Sequence, residues 1–254
     1  MKNKLYVNGC SYTFGIGTEP EVDNLDAPFK HCWGAQLAGK LKYDILNDAQ
    51  PGSCNDRILR STVKSFITEK PDLAIIMWSD PMRTEMFRPQ ETEHQKFQSM
   101  VQITPQGVGN INSFYHREAM ENYFTFIESK ERAVLRTLSH MLTIDALSEA
   151  MGIPCIQFHY KWNFYKAFMN VMEDRSKEVE GSIAVKNLVK ELQERVDLLN
   201  KPHIYGIKDK TSFGSLRHEW GDPDSKWSGG HPDREGHLLM ADWFYVELKK
   251  KNII

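Results

Sequence analysis

Six residues, Leu73-Ala74-Ile75-Ile76-Met77-Trp78, make an apolar run with no polar alternation, set between Pro71-Asp72 and Ser79-Asp80-Pro81. A strand with one wet face alternates apolar and polar residues; a strand apolar at every position needs cover on both faces. The middle of a parallel sheet held between two helical layers provides that cover. Residues 153–158 repeat the pattern, Leu5-Tyr6-Val7 ends in the turn Asn8-Gly9, residues 43–49 lead into the breaker Pro51-Gly52, and residues 203–207 suit a last short strand. Helical spacing fills the intervals. Phe29, Trp33, Leu37 and Leu41 share a face in 28–41, and Ile58, Leu59, Val63, Phe66 and Ile67 share one in 55–69, with Asn55 or Ser53 as cap. A long helix is expected over about 122–151, a weaker one within 161–200, and a closing helix over 233–250. Strands alternating with helices imply parallel pairing through right-handed crossovers. The expected fold class is α/β, a three-layer α/β/α sandwich around a mostly parallel five-stranded sheet.

At 254 residues this reads as one domain over 1–254, interrupted by an irregular, polar insertion at about 80–121 that contains Pro105, Gly107 and Gly109. The net charge of −2 gives no basic field for nucleic acid. The four cysteines are far apart and lack paired metal-ligand spacing, which argues against a disulfide framework and a structural zinc. No apolar stretch approaches the ~20 residues that cross a bilayer, and the apolar run before Cys10 is too short for a signal peptide. A reduced, cytoplasmic protein is the expectation.

In α/β sheets the loops at the carboxyl ends of the strands carry the chemistry. After the first strand comes Gly9-Cys10-Ser11-Tyr12-Thr13-Phe14-Gly15-Ile16-Gly17-Thr18. It lacks the lysine and spacing of a Walker loop, and Ile16 and Gly17 stand where a Cys10-based phosphatase loop would want an arginine. What remains is a turn of small residues that presents Ser11, either as a nucleophile or as a hydroxyl capping whatever follows the strand.

Residues 7–15, Val-Asn-Gly-Cys-Ser-Tyr-Thr-Phe-Gly, resemble the first block of the SGNH (GDSL-like) hydrolases, in the form with Gly-Cys-Ser-(Phe/Tyr)-Thr found among bacterial and phage members. Residues 49–55, Ala-Gln-Pro-Gly-Ser-Cys-Asn, resemble the second block, and residues 229–237, Gly-Gly-His-Pro-Asp-Arg-Glu-Gly-His, the fifth. The resemblance implies the flavodoxin-like sandwich, Ser11 as nucleophile, His231 as its base and the Gly52 N–H as an oxyanion donor, with no cofactor. Pro232, Asp233 and Glu235 suit the start of the closing helix, which leaves His231 in the loop before it. His237 falls inside that helix, and His159, at a strand end, is the rival base.

Two positions depart from the family pattern. The family's aspartate three residues before the histidine is Ser228 here, so Asp224, Asp222 or a backbone carbonyl would have to orient the imidazole. The asparagine expected after the central strand is also missing, leaving Ser79 or Asn55 as the further oxyanion donor. The expected function is hydrolysis of a small-molecule or glycan ester, an acetyl group foremost, without nucleic-acid or membrane partners. The alternatives are a weakened fold of this type that binds a sugar, nucleotide or phosphate-bearing ligand, and a phosphate binder using residues 11–18 as an anion nest. The nest requires that no histidine stand over the loop.

Overall fold

The computed structural model describes residues 2–18, 28–87, 100–103, 121–123, 127–159, 170, 183–207, 227–228 and 231–254. In chain order the elements are β1 (Lys4–Asn8), α1 (Ser11–Phe14), α2 (Pro28–His31), α3 (Trp33–Leu41), β2 (Asp44–Asn47), α4 (Asn55–Glu69) and β3 (Leu73–Trp78). There follow β4 (Thr84–Phe87), β5 (Met100–Ile103), α5 (Lys130–Met151), β6 (Cys155–His159), α6 (Ile183–Leu198), β7 (Trp227–Ser228), β8 (His231–Pro232) and α7 (Arg234–Lys250).

The main sheet has the order β2-β1-β3-β6 and every pairing in it is parallel. Pleating sends successive side chains to opposite faces. Tyr6, Ala74, Ile76 and Trp78 meet Ile58 and Phe66 of α4, Leu138 and Ile144 of α5, and Leu192 and Val196 of α6. Leu5, Val7, Ile75, Met77, Ile156 and Phe158 meet Trp33 and Leu37 of α3 and Met240, Phe244 and Leu248 of α7. The three-layer sandwich is the expected one, and every residue of β3 is buried.

Among the described residues four strands pair in this sheet, against five expected. The chain at 203–207 joins β6 through one bridge, Gln157 with Ile204. The Ile204 N–H turns back to the Lys201 carbonyl, and Gly206 has φ +85°, so the chain leaves the edge before a ladder can extend. Within 80–121 the described residues hold the antiparallel ribbon β4–β5 where irregular chain was expected. The helix expected over 28–41 is interrupted at Cys32, the extended N-cap of α3. The long helix starts later than its periodicity suggests, at the point where Ser129 accepts a hydrogen bond from the Arg132 N–H. Cys54, rather than Ser53 or Asn55, is the N-cap of α4.

Candidate active site

Strand β1 delivers the chain to its carboxyl edge at Asn8, and Gly9 turns it at once. A side chain at Gly9 would place Cβ 2.3 Å from Thr13 Oγ1 and 3.0 Å from the Met77 carbonyl oxygen. Only glycine fits between the turn and the neighbouring strand. The single turn of α1 then starts at Ser11 and stops at Gly15, whose φ of 107° is left-handed. Ser11 is 8% exposed.

His231 arrives from the other end of the chain. Strands β7 and β8 form a minimal hairpin in which Ser228 pairs with His231 and Trp227 with Pro232. The next residue, Asp233, caps α7 by accepting from the Gly236 N–H at 2.9 Å. In this setting His231 Nε2 lies 2.8 Å from Ser11 Oγ. The Tyr12 ring packs on the imidazole, 4.9 Å between centroids. Gly17, with φ +97°, lets the first loop close against the hairpin; a Cβ there would stand 2.6 Å from the Pro232 oxygen and 3.2 Å from His231 Cβ.

The adjacent loops leave neighbouring strands on either side. Gly52, at φ +77°, sits in the exposed turn after β2, and the Gln50 N–H donates to the Gly9 carbonyl at 3.3 Å. Ser79 follows β3 and is fully buried. Its N–H donates to Asn55 Oδ1 at 2.8 Å, while Asn55 Nδ2 donates to the Ser79 carbonyl at 3.2 Å and to Thr137 Oγ1 at 3.0 Å. The expectation of Asn55 as an oxyanion donor is therefore corrected: both amide hydrogens are committed to bracing the third loop. The Ser79 hydroxyl accepts from Arg83 at 3.1 Å. Asp224 lies outside the described residues, as does Asp222.

His159 is buried at the end of β6, in register with Trp78, while the imidazole on Ser11 is that of His231. A histidine over the loop is what the anion-nest reading required to be absent. His237 is packed inside the molecule. Its Nδ1 accepts the Trp33 N–H at 3.1 Å, tying the first turn of α7 to the start of α3. Burial, with His231 nearby, pushes its pKa down to about 3 against an opposing pull from the Ile16 backbone. Between the ordinary 6.5 and about 3 the unfolded imidazole holds a proton that the folded one refuses. Stability is therefore lost as pH falls through that window, by up to about 1.4 kcal/mol per pH unit from this group. His237→Gln is expected to flatten the dependence, read as the difference between urea midpoints at pH 4.5 and 7 for the two proteins.

Sequence reasoning missed Gly17 and the bracing role of Asn55. The Gly15-Ile16-Gly17 spacing is a local sign of the first; the second depends on a partner in a distant loop. Among the described residues no three His, Cys, Asp or Glu side chains are placed to share a metal, and no helix is long and apolar enough to cross a membrane.

Several solved structures are similar to this chain over nearly their whole lengths. TesA is 11% identical with a TM-score of 0.51, over 99% of this chain and 100% of that one. The psychrotrophic esterase EstA from Pseudoalteromonas sp. is 11% identical with a TM-score of 0.49, over 98% and 97%. A catalytic mutant of Axe2, an acetylxylan esterase from Geobacillus stearothermophilus, is 13% identical with a TM-score of 0.47, over 97% and 94%. The likeness to TesA is one of fold alone. No protein of curated function matches the chain in sequence. The sequence pattern of one family does match, over residues 18–181, a stretch that includes Gly52, Asn55, Ser79 and His159 but neither Ser11 nor His231. On that match, the chain belongs to DUF6071, a family of unknown function.

Proposed function

We propose that the protein is a serine ester hydrolase of the SGNH type that removes a small acyl group, acetyl foremost, from a carbohydrate or other polar alcohol. The observation that carries this reading is the 2.8 Å contact between His231 Nε2 and Ser11 Oγ, made by residues 220 apart in sequence. In the proposed reaction Ser11 Oγ bonds to the ester carbonyl carbon and its proton passes to His231 Nε2. The oxyanion is held by the N–H groups of Ser11 and Gly52, with the Ser79 hydroxyl as a further donor. The ester C–O bond then breaks, and the alcohol leaves with the proton from His231. Water attacks the acyl-Ser11 ester and gives a proton to His231; the acyl–Oγ bond then breaks, His231 returns the proton to Ser11 Oγ, and the acid leaves. For Nε2 to accept, Nδ1 must carry the ring hydrogen, and Asp224 is the proposed acceptor for it, three residues before the hairpin. A reduced, cytoplasmic setting belongs to the same reading and is in keeping with four buried, free thiols.

Hydrolysis of 4-nitrophenyl acetate and octanoate by the wild-type protein tests this. Turnover is expected, with the acetate preferred; a folded protein inert towards both contradicts the proposal and favours a binding role. Gly17→Ala is expected to lower kcat/KM by roughly 10²-fold, because a displacement of about 1 Å between reacting groups has an effect of that order. The left-handed φ of +97° and the nearby Pro232 oxygen leave no room for the methyl without moving His231. Steady-state kinetics checked against an unchanged circular dichroism spectrum would show it.

A further inference from the structure

The second loop, residues 48–53, is closed from beneath by one side chain. Arg57, half-buried in the first turns of α4, donates through the same terminal nitrogen to the Asp48 carbonyl at 3.0 Å and to Ser53 Oγ at 3.2 Å. These two acceptors flank the Gln50-Pro51-Gly52 turn. A planar guanidinium is suited to this bridging, since its donors hold a fixed geometry that an ammonium lacks.

The bridge continues towards the nucleophile. The Asp48 carboxylate accepts from Ser65 Oγ at 2.7 Å and from the Tyr6 hydroxyl at 3.1 Å. The Tyr6 oxygen in turn accepts from Asn8 Nδ2 at 3.0 Å, and Asn8 Oδ1 accepts the Gly9 N–H at 2.8 Å. Asn8 is fully buried, and its amide also lies within hydrogen-bond distance of Ser61, Thr62 and the Ile58 carbonyl on α4. A polar chain thus runs from the Gly52 turn through Arg57, Asp48, Tyr6 and Asn8 to the turn that presents Ser11. Buried networks of this kind hold their members in one arrangement, because each broken link leaves a polar group without water. Burial also makes the Arg57 charge less favourable than at the surface, so its place is one the loop contacts must stabilise.

We propose that Arg57 is a positioning residue: its bridge between Asp48 and Ser53 fixes the second loop, and with it the Gly52 N–H, relative to Ser11. The inference rests on the hydrolase reading for its catalytic consequence, but the ordering of the loop is measurable without any substrate.

The test uses the full-length protein as wild type, Arg57→Met and Arg57→Lys. Hydrogen exchange by mass spectrometry reads the amides of residues 48–54, and nitrophenyl acetate kinetics read kcat and KM. In Arg57→Met, exchange in that segment is expected to quicken while α5 and α7 keep their protection. The expected fall in kcat is roughly tenfold, less than the 10²–10³ for losing an oxyanion donor outright, with KM within about twofold. Arg57→Lys, which retains the charge and one contact, is expected to lie between. Unchanged exchange in 48–54 overturns the proposal, and so does faster exchange with an unchanged kcat. A wild-type protein without esterase activity sinks the hydrolase reading alone, and the exchange result still decides whether Arg57 holds the loop.

Discussion

Ser11→Ala is expected to lower kcat towards a small acetate ester by at least roughly 10³-fold, and His231→Ala to do nearly the same, with both proteins still folded. Alanine at 11 removes the oxygen that forms the acyl bond. Alanine at 231 leaves that oxygen with its proton and no acceptor at the 2.8 Å contact. Because the two groups act in one step, the double variant should be no slower than the worse single one; their effects on the barrier do not add. Neither change should cost much stability. Ser11 lies at the start of a single helical turn and His231 is half-buried in a short hairpin, so neither leaves a large cavity. Unaltered thermal unfolding beside lost turnover separates a chemical role from a structural one.

The largest effect on stability is expected at Trp78. Its side chain is fully buried at the end of the central strand, and its indole N–H donates to Gln157 Oε1 at 2.9 Å. Gln157 spends its own amide on the Met141 carbonyl at 3.0 Å, so the pair joins β3, β6 and α5. Trp78→Ala is expected to destabilise the protein by about 3–5 kcal/mol, the range for deleting a large aromatic from a close-packed core. The Gln157 oxygen would also lose its donor in a dry environment. Trp78→Phe keeps most of the packing while removing the hydrogen bond, and should cost clearly less. Urea unfolding with both midpoint and slope recorded distinguishes this from a change in cooperativity. The opposite order, with Phe worse than Ala, would contradict the packing argument, since both variants lose the indole hydrogen bond.

The layers of the fold were legible where local pattern and tertiary burial agree. Leu73–Trp78 is apolar at every position because both faces are covered, and α7 is periodic because one side meets the sheet. The edge at Ile204 was not legible as a single bridge, since the same five residues suit a strand until Gly206 turns them away. The start of α3 was displaced because its capping residue, Cys32, lacks a distinctive side chain; the start of α4 was legible, but its cap, Cys54, was not, for the same reason. At the site, the resemblance pointed to Ser11 and His231, and the geometry brings those two side chains together. Asn55 shows the limit of such transfer. An asparagine near the right loop looks like an oxyanion donor in sequence, but its amide answers to Ser79 and Thr137, contacts 24 and 82 residues away.

The most direct test of the Ser11–His231 pair is covalent labelling by a fluorophosphonate, with the adduct located by peptide mass. A serine phosphonylates readily only when its proton has a base to go to. The account predicts a single adduct on the peptide carrying Ser11 in the wild-type protein, and its loss in His231→Ala. Labelling at another serine, or equal labelling of Ser11 with and without His231, would contradict it.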